Sequence, residues 1–356
     1  MKKNDLRKTL EELGVLEKVE NLGIDAPRDM LMKSVADLTR LLNIPADAAN
    51  DILMAASLEA FDWRLRERTG NELIQQQHTR VLTTGDATMD KVFNGGISLG
   101  AITEVVGESS SGKTQLALQL CVAAQKPEQE GGLGGSAVYI CTEGPFPSKR
   151  LDQLLHQYPE PQQEELRNNL FTIRVKNCDE QYRTIFYRLP AFVESQIKKK
   201  RVRVIVIDSI GALYRSEAHG IGKKRFERMS EICDLGTQLK KIADQYELAI
   251  IAVNQVADVP TTRNQPDIEQ LQQWADFQLL NAEKSNSMAG LYIDSLLKKP
   301  ILGVSWANSV NARIRMARSP ILEHMKTRRI LFLEFSPTAP RYGCELKIDN
   351  NGIHAI

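Results

Sequence analysis

The chain has 356 residues, more than a typical single domain of about 100–150, so we expect more than one folded unit. Its composition is that of an ordinary globular protein, with 42% hydrophobic and 26% charged residues. The 46 basic residues almost balance the 45 acidic ones, and the net charge is +1. This balance excludes binding of nucleic acid through bulk positive charge, so any such contact has to come from local clusters.

The cysteines and the first residues indicate the kind of compartment. Five cysteines are scattered without the spacing of a zinc site or a CxxC pair, which is typical of reduced thiols in an intracellular protein. The first residues lead into a charged helical pattern, and the longest purely apolar stretches have the length of strands. We therefore expect neither secretion nor a membrane partner.

The first 60 residues predict a small all-helical domain. Short helical patterns are interrupted by glycines and prolines, and Leu38, Leu41 and Leu42 recur at helical spacing, which indicates about four helices. Residues 61–80 are polar and charged and are predicted to form a linker. A second unit, residues 81–356, is predicted to follow.

A phosphate-binding loop lies near the start of the second unit. Residues 101–106 form an apolar run typical of a buried strand, and residues 115–125 have the apolar pattern of a packed helix. Between them lie the eight residues of a complete P-loop: Gly107, Glu108, Ser109, Ser110, Ser111, Gly112, Lys113 and Thr114. In such a loop the backbone N–H groups surround phosphates, the lysine reaches the β/γ oxygens and the threonine hydroxyl meets Mg²⁺. The sequence thus predicts that ATP and Mg²⁺ bind here.

Strands and helices then alternate, which is typical of a mostly parallel sheet covered by helices. The pattern predicts strands at 137–141, 170–175, 202–208 and 248–253, with helices from about 148, at 179–199 and at 223–246. The tail departs from this pattern, with strand-like runs at 310–317, 329–335 and 341–348. We expect these last strands to be antiparallel, at one edge of the sheet.

Three polar residues follow predicted strands at the edge where open α/β sheets bind ligands. Asp208 ends the run 202–208 and is a candidate Mg²⁺ ligand together with Thr114. Glu143 follows the strand 137–141 and is a candidate to orient the attacking water, although a solvated strand end is the alternative. Gln255 follows the strand 248–253, where its amide either senses the γ-phosphate or caps the strand.

The ordered set of motifs resembles the RecA-type strand-exchange recombinase family across residues 81–356. The resemblance is carried by Gly95-Gly96-Ile97, Ile102-Thr103-Glu104, the P-loop with Gln115, Tyr139 to Gly144 with Arg150, Asp208-Ser209, and Asn254-Gln255-Val256. Within the family, several segments are most similar to a eukaryotic recombinase paralogue. The fold class implied is a RecA-type P-loop ATPase core plus a small helical N-terminal domain.

The resemblance also implies roles for individual residues. Glu143 matches the catalytic glutamate, Lys113 and Gln115 belong to the nucleotide loop, Arg150 packs near the adenine, and Gln255 couples the γ-phosphate to a DNA-binding loop. Residues 214–222 and 256–301 match the two DNA-facing loops. Candidate DNA contacts are Arg215, Lys223, Lys224, Arg225 and Arg313, the last on a strand face directed either to DNA or to solvent.

Several features depart from the family pattern. No Phe-x-x-Ala segment, with which relatives add a strand to a neighbouring protomer, occurs in the chain. Residues 42–47 lack the glycines with which related helical domains approach a phosphate. Residues 256–301 carry many carboxylates, which suit single-stranded DNA poorly. Glu334-Phe335-Ser336-Pro337 replaces the Asp-Ser-Pro that caps ATP on the next subunit. These departures favour pairing with a different subunit over self-polymerisation.

The sequence therefore predicts an ATP-binding accessory factor of homologous recombination in the nucleus. We expect another recombinase paralogue as partner in a heterodimer or larger complex, a role on recombinase filaments, contact with single-stranded or branched DNA, and slow DNA-stimulated ATPase activity. Two alternatives stay open: a self-assembling strand-exchange recombinase, and an adaptor that binds nucleotide without hydrolysing it.

Overall fold

The computed structural model describes residues 6–24, 26–60, 69–72, 81–215, 223–258, 278–280, 286–320 and 327–356, with the side chains of 215, 223–225, 279 and 286–290 excluded. The chain divides into two compact units, Met1–Gln76 and Gln77–Ile356. Most of the predicted linker 61–80 lies outside the described residues.

The first unit consists of short helices around a small apolar core. The helices are α1 (Leu6–Glu12), α2 (Leu16–Asn21), α3 (Pro27–Leu31), α4 (Val35–Leu42) and α5 (Ala46–Ala60). Ser34 and Asp37 form a capping box that satisfies the free N–H groups at the start of α4. Leu38, Leu42 and Ile52 are fully buried, whereas Leu41 faces solvent. The all-helical character is as predicted, with five described helices where about four were expected.

The second unit is built on one large sheet. Its strands, with a separate two-stranded pair β1–β2, are β1 (Val81–Leu82), β2 (Ile97–Ser98), β3 (Ala101–Gly107), β4 (Ser136–Cys141), β5 (Leu170–Arg174), β6 (Val202–Asp208), β7 (Ala249–Asp258), β8 (Gln278–Leu279), β9 (Lys298–Pro300), β10 (Ala312–Arg318), β11 (Arg329–Phe335), β12 (Tyr342–Asp349) and β13 (Gly352–Ala355). The main order is β13-β12-β11-β10-β3-β7-β6-β4-β5; β8 pairs with β12 and β9 with β7.

The sheet has a parallel part and an antiparallel edge. β10, β3, β7, β6, β4 and β5 are parallel neighbours. β11, β12 and β13 continue the sheet in antiparallel pairs. Both parts of the predicted topology are confirmed. Since parallel strands end at the same edge, the carboxyl ends of β3, β4, β6 and β7 lie together there.

Helices cover both faces of the sheet. They are α6 (Ala87–Val92), α7 (Lys113–Ala123), α8 (Ser148–Leu155), α9 (Glu160–Asn168), α10 (Cys178–Arg183), α11 (Leu189–Gln196), α12 (Ala212–Arg215), α13 (Lys223–Tyr246), α14 (Asn286–Leu296) and α15 (Gly303–Ala307). One apolar core includes α7 and α8, and a second, on the opposite strand positions, includes α11 and α13. Among the described helices, none combines the length and apolarity needed to cross a membrane.

Two regions were not anticipated by the periodicity. The predicted helix 179–199 contains a π-helical turn, Thr184–Arg188, between α10 and α11. The predicted loop 256–301 is not one irregular segment, because β7 continues to Asp258 and pairs with β9. Helix α14 precedes β9, and its Tyr292 packs against Ala317, Ile330 and Phe332 of β10 and β11. The described ends of this segment are therefore anchored to the sheet.

Candidate nucleotide site

The P-loop connects the end of β3 to the start of α7. An added Cβ would lie 2.2 Å from the carbonyl oxygen of Met316 at Gly107 and 2.9 Å from Cδ1 of Ile348 at Gly112. At Gly107 the clashing atom belongs to the backbone and cannot move aside, and at Gly112 the backbone has a φ of 115°, in the left-handed region, so both positions favour glycine. Lys113 Nζ donates to the carbonyl oxygens of Gly107 (2.8 Å) and Glu108 (2.7 Å). The ammonium group of Lys113 is thus fixed against the backbone of the P-loop.

A hydroxyl and a carboxylate meet at the start of α7. Thr114 Oγ1 donates to Asp208 Oδ2 at 2.7 Å, and the Tyr139 hydroxyl donates to the same oxygen at 2.6 Å. Burial and the neighbouring Asp208 carboxylate raise the pKa of Tyr139 well above its usual value, so the phenol stays protonated. Oxygen ligands of this kind suit Mg²⁺. The donor set therefore fits the predicted cation, with Asp208 oriented by two hydroxyls.

The candidate catalytic glutamate is oriented by two neighbours. Gln255 Nε2 donates to Glu143 Oε1 at 2.7 Å, and Ser209 Oγ donates to the same oxygen at 3.2 Å. The sheet brings these residues together, because β4, β6 and β7 end side by side. A carboxylate oriented in this way beside the P-loop is a candidate to accept a proton from water.

These groups surround one cavity of about 520 Å³. Its lining includes the predicted residues Ser109, Ser110, Gly112, Lys113, Thr114, Gln115, Glu143, Arg150, Asp208 and Gln255. Ser111 Oγ is buried beside it and has no hydrogen-bond partner among the described residues. The phosphate-binding loop, the Lys113 ammonium group, the Thr114 hydroxyl and the carboxylates together fit a nucleoside triphosphate with Mg²⁺.

Arg150 lies at the mouth of the cavity, where the family resemblance places the adenine. Its Nε donates to Gln115 Oε1, and its Nη2 donates to the carbonyl oxygen of Asp349 at 2.6 Å. The side chain is thus fixed by α7 and by the last antiparallel strands. Glu108, in contrast, is not among the residues that line the cavity and forms an ion pair with Lys298.

The prediction that Arg313 contacts DNA is wrong in this structure. Arg313 is buried, and its Nε donates to Glu104 Oε2 at 2.6 Å while Nη1 donates to Glu334 Oε1 at 3.1 Å. Burial by itself lowers the pKa of Arg313, but Glu104 and Glu334 outweigh it and hold the pKa above the usual value. Arg315 is buried on the same face and pairs with Glu334 at 2.7 Å.

The remaining candidate DNA contacts fall on α12 and the start of α13. The side chains of Arg215, Lys223, Lys224 and Arg225 lie outside the described residues, as do residues 216–222 between these helices. These four remain predictions.

Sequence reasoning missed several charged residues around the site. Lys298 joins the base of the segment 256–301 to the P-loop through Glu108, and its carbonyl oxygen accepts from Arg315 Nη1 at 2.9 Å. Arg329 lines the cavity, and Arg318 Nε donates to the carbonyl oxygen of Ser109 at 3.0 Å. No local motif marks these positions. Only the parallel pairing of β10 with β3 suggests that residues near 318 lie beside the P-loop.

Comparison with known proteins agrees with this geometry. Residues 75–271 match the family described as Rad51. The chain is 32% identical over 308 residues to the DNA repair protein XRCC3 homolog of Arabidopsis thaliana, covering 80% of this chain and 96% of the relative. It is 31% identical over 354 residues to DNA repair protein XRCC3 of Mus musculus, covering 92% and 91%. It is 29% identical over 296 residues to DNA repair protein rhp57 of Schizosaccharomyces pombe, covering 78% and 80%.

Proposed function

The chain belongs to the Rad51 family as an XRCC3-like, RecA-type paralogue of recombination and DNA repair, and from this premise we propose a more specific role. It binds ATP with Mg²⁺ in the nucleus, pairs with another recombinase paralogue, and helps to assemble or stabilise recombinase filaments on single-stranded DNA. The observation that carries this proposal is the single cavity that combines the P-loop with Thr114, Asp208, Glu143 and Gln255.

The geometry supports separate roles for these residues in binding the nucleotide and in orienting the water that attacks its γ-phosphate. The P-loop N–H groups and Lys113 bind phosphate oxygens, while Thr114 and Asp208 hold Mg²⁺. Bound Mg²⁺ neutralises the charge that develops on the phosphate oxygens. Glu143 orients a water. Gln255 of β7 is hydrogen-bonded to Glu143, so a movement of Glu143 would be transmitted to β7, which leads into the segment 259–277. We expect the lone chain to hydrolyse ATP slowly, because a partner subunit would complete the site.

The structure also supports a partner other than a second copy of this chain. Glu334 stands beside the position where relatives carry the carboxylate that caps ATP on the next subunit. Here Glu334 is largely buried and bonded to both Arg313 and Arg315. A carboxylate held by two arginines inside its own subunit is not available to a neighbour. Together with the missing Phe-x-x-Ala segment, this favours a heterodimer.

Light scattering tests the proposal directly. The purified chain is measured alone and with a candidate sister paralogue, with ATP–Mg²⁺ and single-stranded DNA present. We expect a discrete heterodimer, and a lone chain that stays monomeric or insoluble. Long ATP-dependent homopolymers on DNA would instead identify a self-assembling recombinase.

Two variants separate the roles of nucleotide binding and hydrolysis. Lys113→Ala removes the phosphate contact and should abolish partner-dependent loading of the recombinase on DNA. Glu143→Gln keeps the shape of the site and tests whether hydrolysis matters. If Lys113→Ala preserved both partner binding and loading, the chain would be an adaptor that does not depend on nucleotide.

A further inference from the structure

Two arginines face each other across β10 and β11 next to the P-loop. Arg318, the last residue of β10, is the direct partner of Arg329, the first residue of β11. Arg329 lines the cavity that contains the P-loop, and Arg318 donates to the carbonyl oxygen of Ser109. Directly opposed like charges destabilise an antiparallel pair, so an anion between them would stabilise this arrangement.

No carboxylate within the described part of the chain compensates either arginine. The other arginines on β10 are paired, since Arg313 and Arg315 bind Glu334, and Arg328, just before β11, binds Glu345. Among the residues that the structure describes, Arg318 and Arg329 bond only to backbone carbonyl oxygens: those of Ser109 and Ser319 for Arg318, and that of Thr327 for Arg329.

One N–H group of Arg329 is also left without an acceptor. Its Nε is buried and has no hydrogen-bond partner among the described residues. Burial, and then the charge of Arg318, lower the pKa of Arg329. An anion in the cavity would supply the missing negative charge to the guanidinium of Arg329, which lines that cavity.

The topology fixes which part of a nucleotide this pair can reach. In the sheet, Asp208 on β6 and Glu143 after β4 lie on one side of the P-loop strand β3, and β10 and β11 lie on the other. The γ-phosphate belongs on the side of Glu143, where water attacks. The arginine side is therefore set to meet phosphate oxygens nearer the nucleoside, which ATP and ADP share.

We propose that Arg329, supported by Arg318, is a binding residue for the phosphate chain of the nucleotide, on the wall opposite the Mg²⁺ residues. A guanidinium suits this task because its fork of N–H donors matches phosphate geometry. The proposal rests on the proposed function, since it presupposes that ATP occupies the cavity. It adds a second cationic wall to the site, contributed by the antiparallel edge of the sheet.

Equilibrium binding of fluorescent ATP and ADP analogues to the full chain, with Mg²⁺, tests the proposal. Losing a charge-assisted hydrogen bond in a desolvated site weakens affinity by about tenfold to a hundredfold, so we expect that loss for Arg329→Gln. The loss should be equal for both nucleotides. Arg329→Lys, which keeps the charge but not the fork, should lose less. The control Arg328→Gln removes the same charge from the adjacent position, where the side chain pairs with Glu345, and should bind as the wild type does.

Thermal unfolding distinguishes a binding role from a structural one. Without nucleotide, Arg329→Gln should melt at or above the wild-type temperature, because it relieves the repulsion from Arg318, yet its stabilisation by ATP–Mg²⁺ should shrink. Wild-type nucleotide affinity in Arg329→Gln, or an equal loss in Arg328→Gln, would overturn the proposal. So would a loss confined to ATP, because it would place Arg329 at the γ-phosphate. Lys113→Ala is measured in parallel, and failure of the wild type itself to bind ATP would count against the proposed function.

Discussion

Glu104 is the centre of a buried polar network, and replacing it by glutamine should destabilise the second unit strongly. Its carboxylate is fully buried and accepts three hydrogen bonds, from Asn254 Nδ2 at 2.8 Å, Trp306 Nε1 at 2.9 Å and Arg313 Nε at 2.6 Å. Glutamine has nearly the same shape, but it lacks the charge and carries an NH₂ group. In Glu104→Gln, that NH₂ group would therefore point at a donor.

The expected cost follows from the contacts that remain. Breaking a buried ion pair by removing one partner costs about 3–5 kcal/mol. Since Glu334 still neutralises Arg313, we expect the lower end of this range, about 3 kcal/mol. For the unit Gln77–Ile356, with an entropy of unfolding of about 2.1 cal/mol/K per residue, that corresponds to a melting temperature lower by about 5 °C.

Denaturation followed by tryptophan fluorescence measures this change, because the indole of Trp306 donates to Glu104 itself. Glu345→Gln is the matched control, since Glu345 pairs with the partly exposed Arg328 and its loss should cost less than about 1 kcal/mol. If Glu104→Gln melted within error of Glu345→Gln, the network would not depend on the carboxylate and the reasoning would be refuted.

Three further changes have defined outcomes. Gly107→Ala should reduce nucleotide affinity by more than about a hundredfold, because the new methyl group would lie 2.2 Å from the Met316 carbonyl oxygen. The control Gly144→Ala, whose methyl group would have nothing within 4 Å, should bind ATP normally, and equal affinities of the two variants in a binding titration would contradict the prediction. Lys298→Met should speed amide exchange in α14 by about threefold, because the ion pair of Lys298 with Glu108 is lost. The control Lys299→Met changes an exposed side chain and should leave exchange unchanged. Identical exchange in both variants would count against the role of Lys298 in anchoring this segment. At about pH 8, exposed Cys233 should react with a thiol reagent before the buried thiols, because thiolate is the reactive form. Burial raises the pKa of Cys141 to about 11 and that of Cys344 to about 12, and it raises the pKa of Cys121 as well. If mass spectrometry found early labelling of any of these three buried cysteines, the burial argument would be refuted.

Much of the fold and of the site's inventory follows from local patterns. The apolar run of β3, the eight P-loop residues and the helix α7 are contiguous, so their chemistry can be recognised without tertiary information. Alternating strands and helices specify a parallel sheet, and parallel strands that end at one edge bring Asp208, Glu143 and Gln255 together. Periodicity could not predict the ends of the segment 256–301, because β9 is too short to have a pattern and depends on pairing with β7.

The sequence by itself determined where phosphate chemistry lies, because the loop and its flanking strand and helix are adjacent in the chain. Only the tertiary structure decided which charges serve ligands and which serve the fold. Arg313 and Arg318 lie on one strand, yet the first is neutralised by Glu104, which is 209 residues away in sequence, and the second faces Arg329 beside the P-loop. A strand pattern gives the face of each side chain but not what covers that face. Here α14 and β9 supply the carbonyl oxygens that bind Arg315, whereas Arg329 lines the nucleotide cavity and Arg318 binds the carbonyl oxygen of Ser109 in the P-loop.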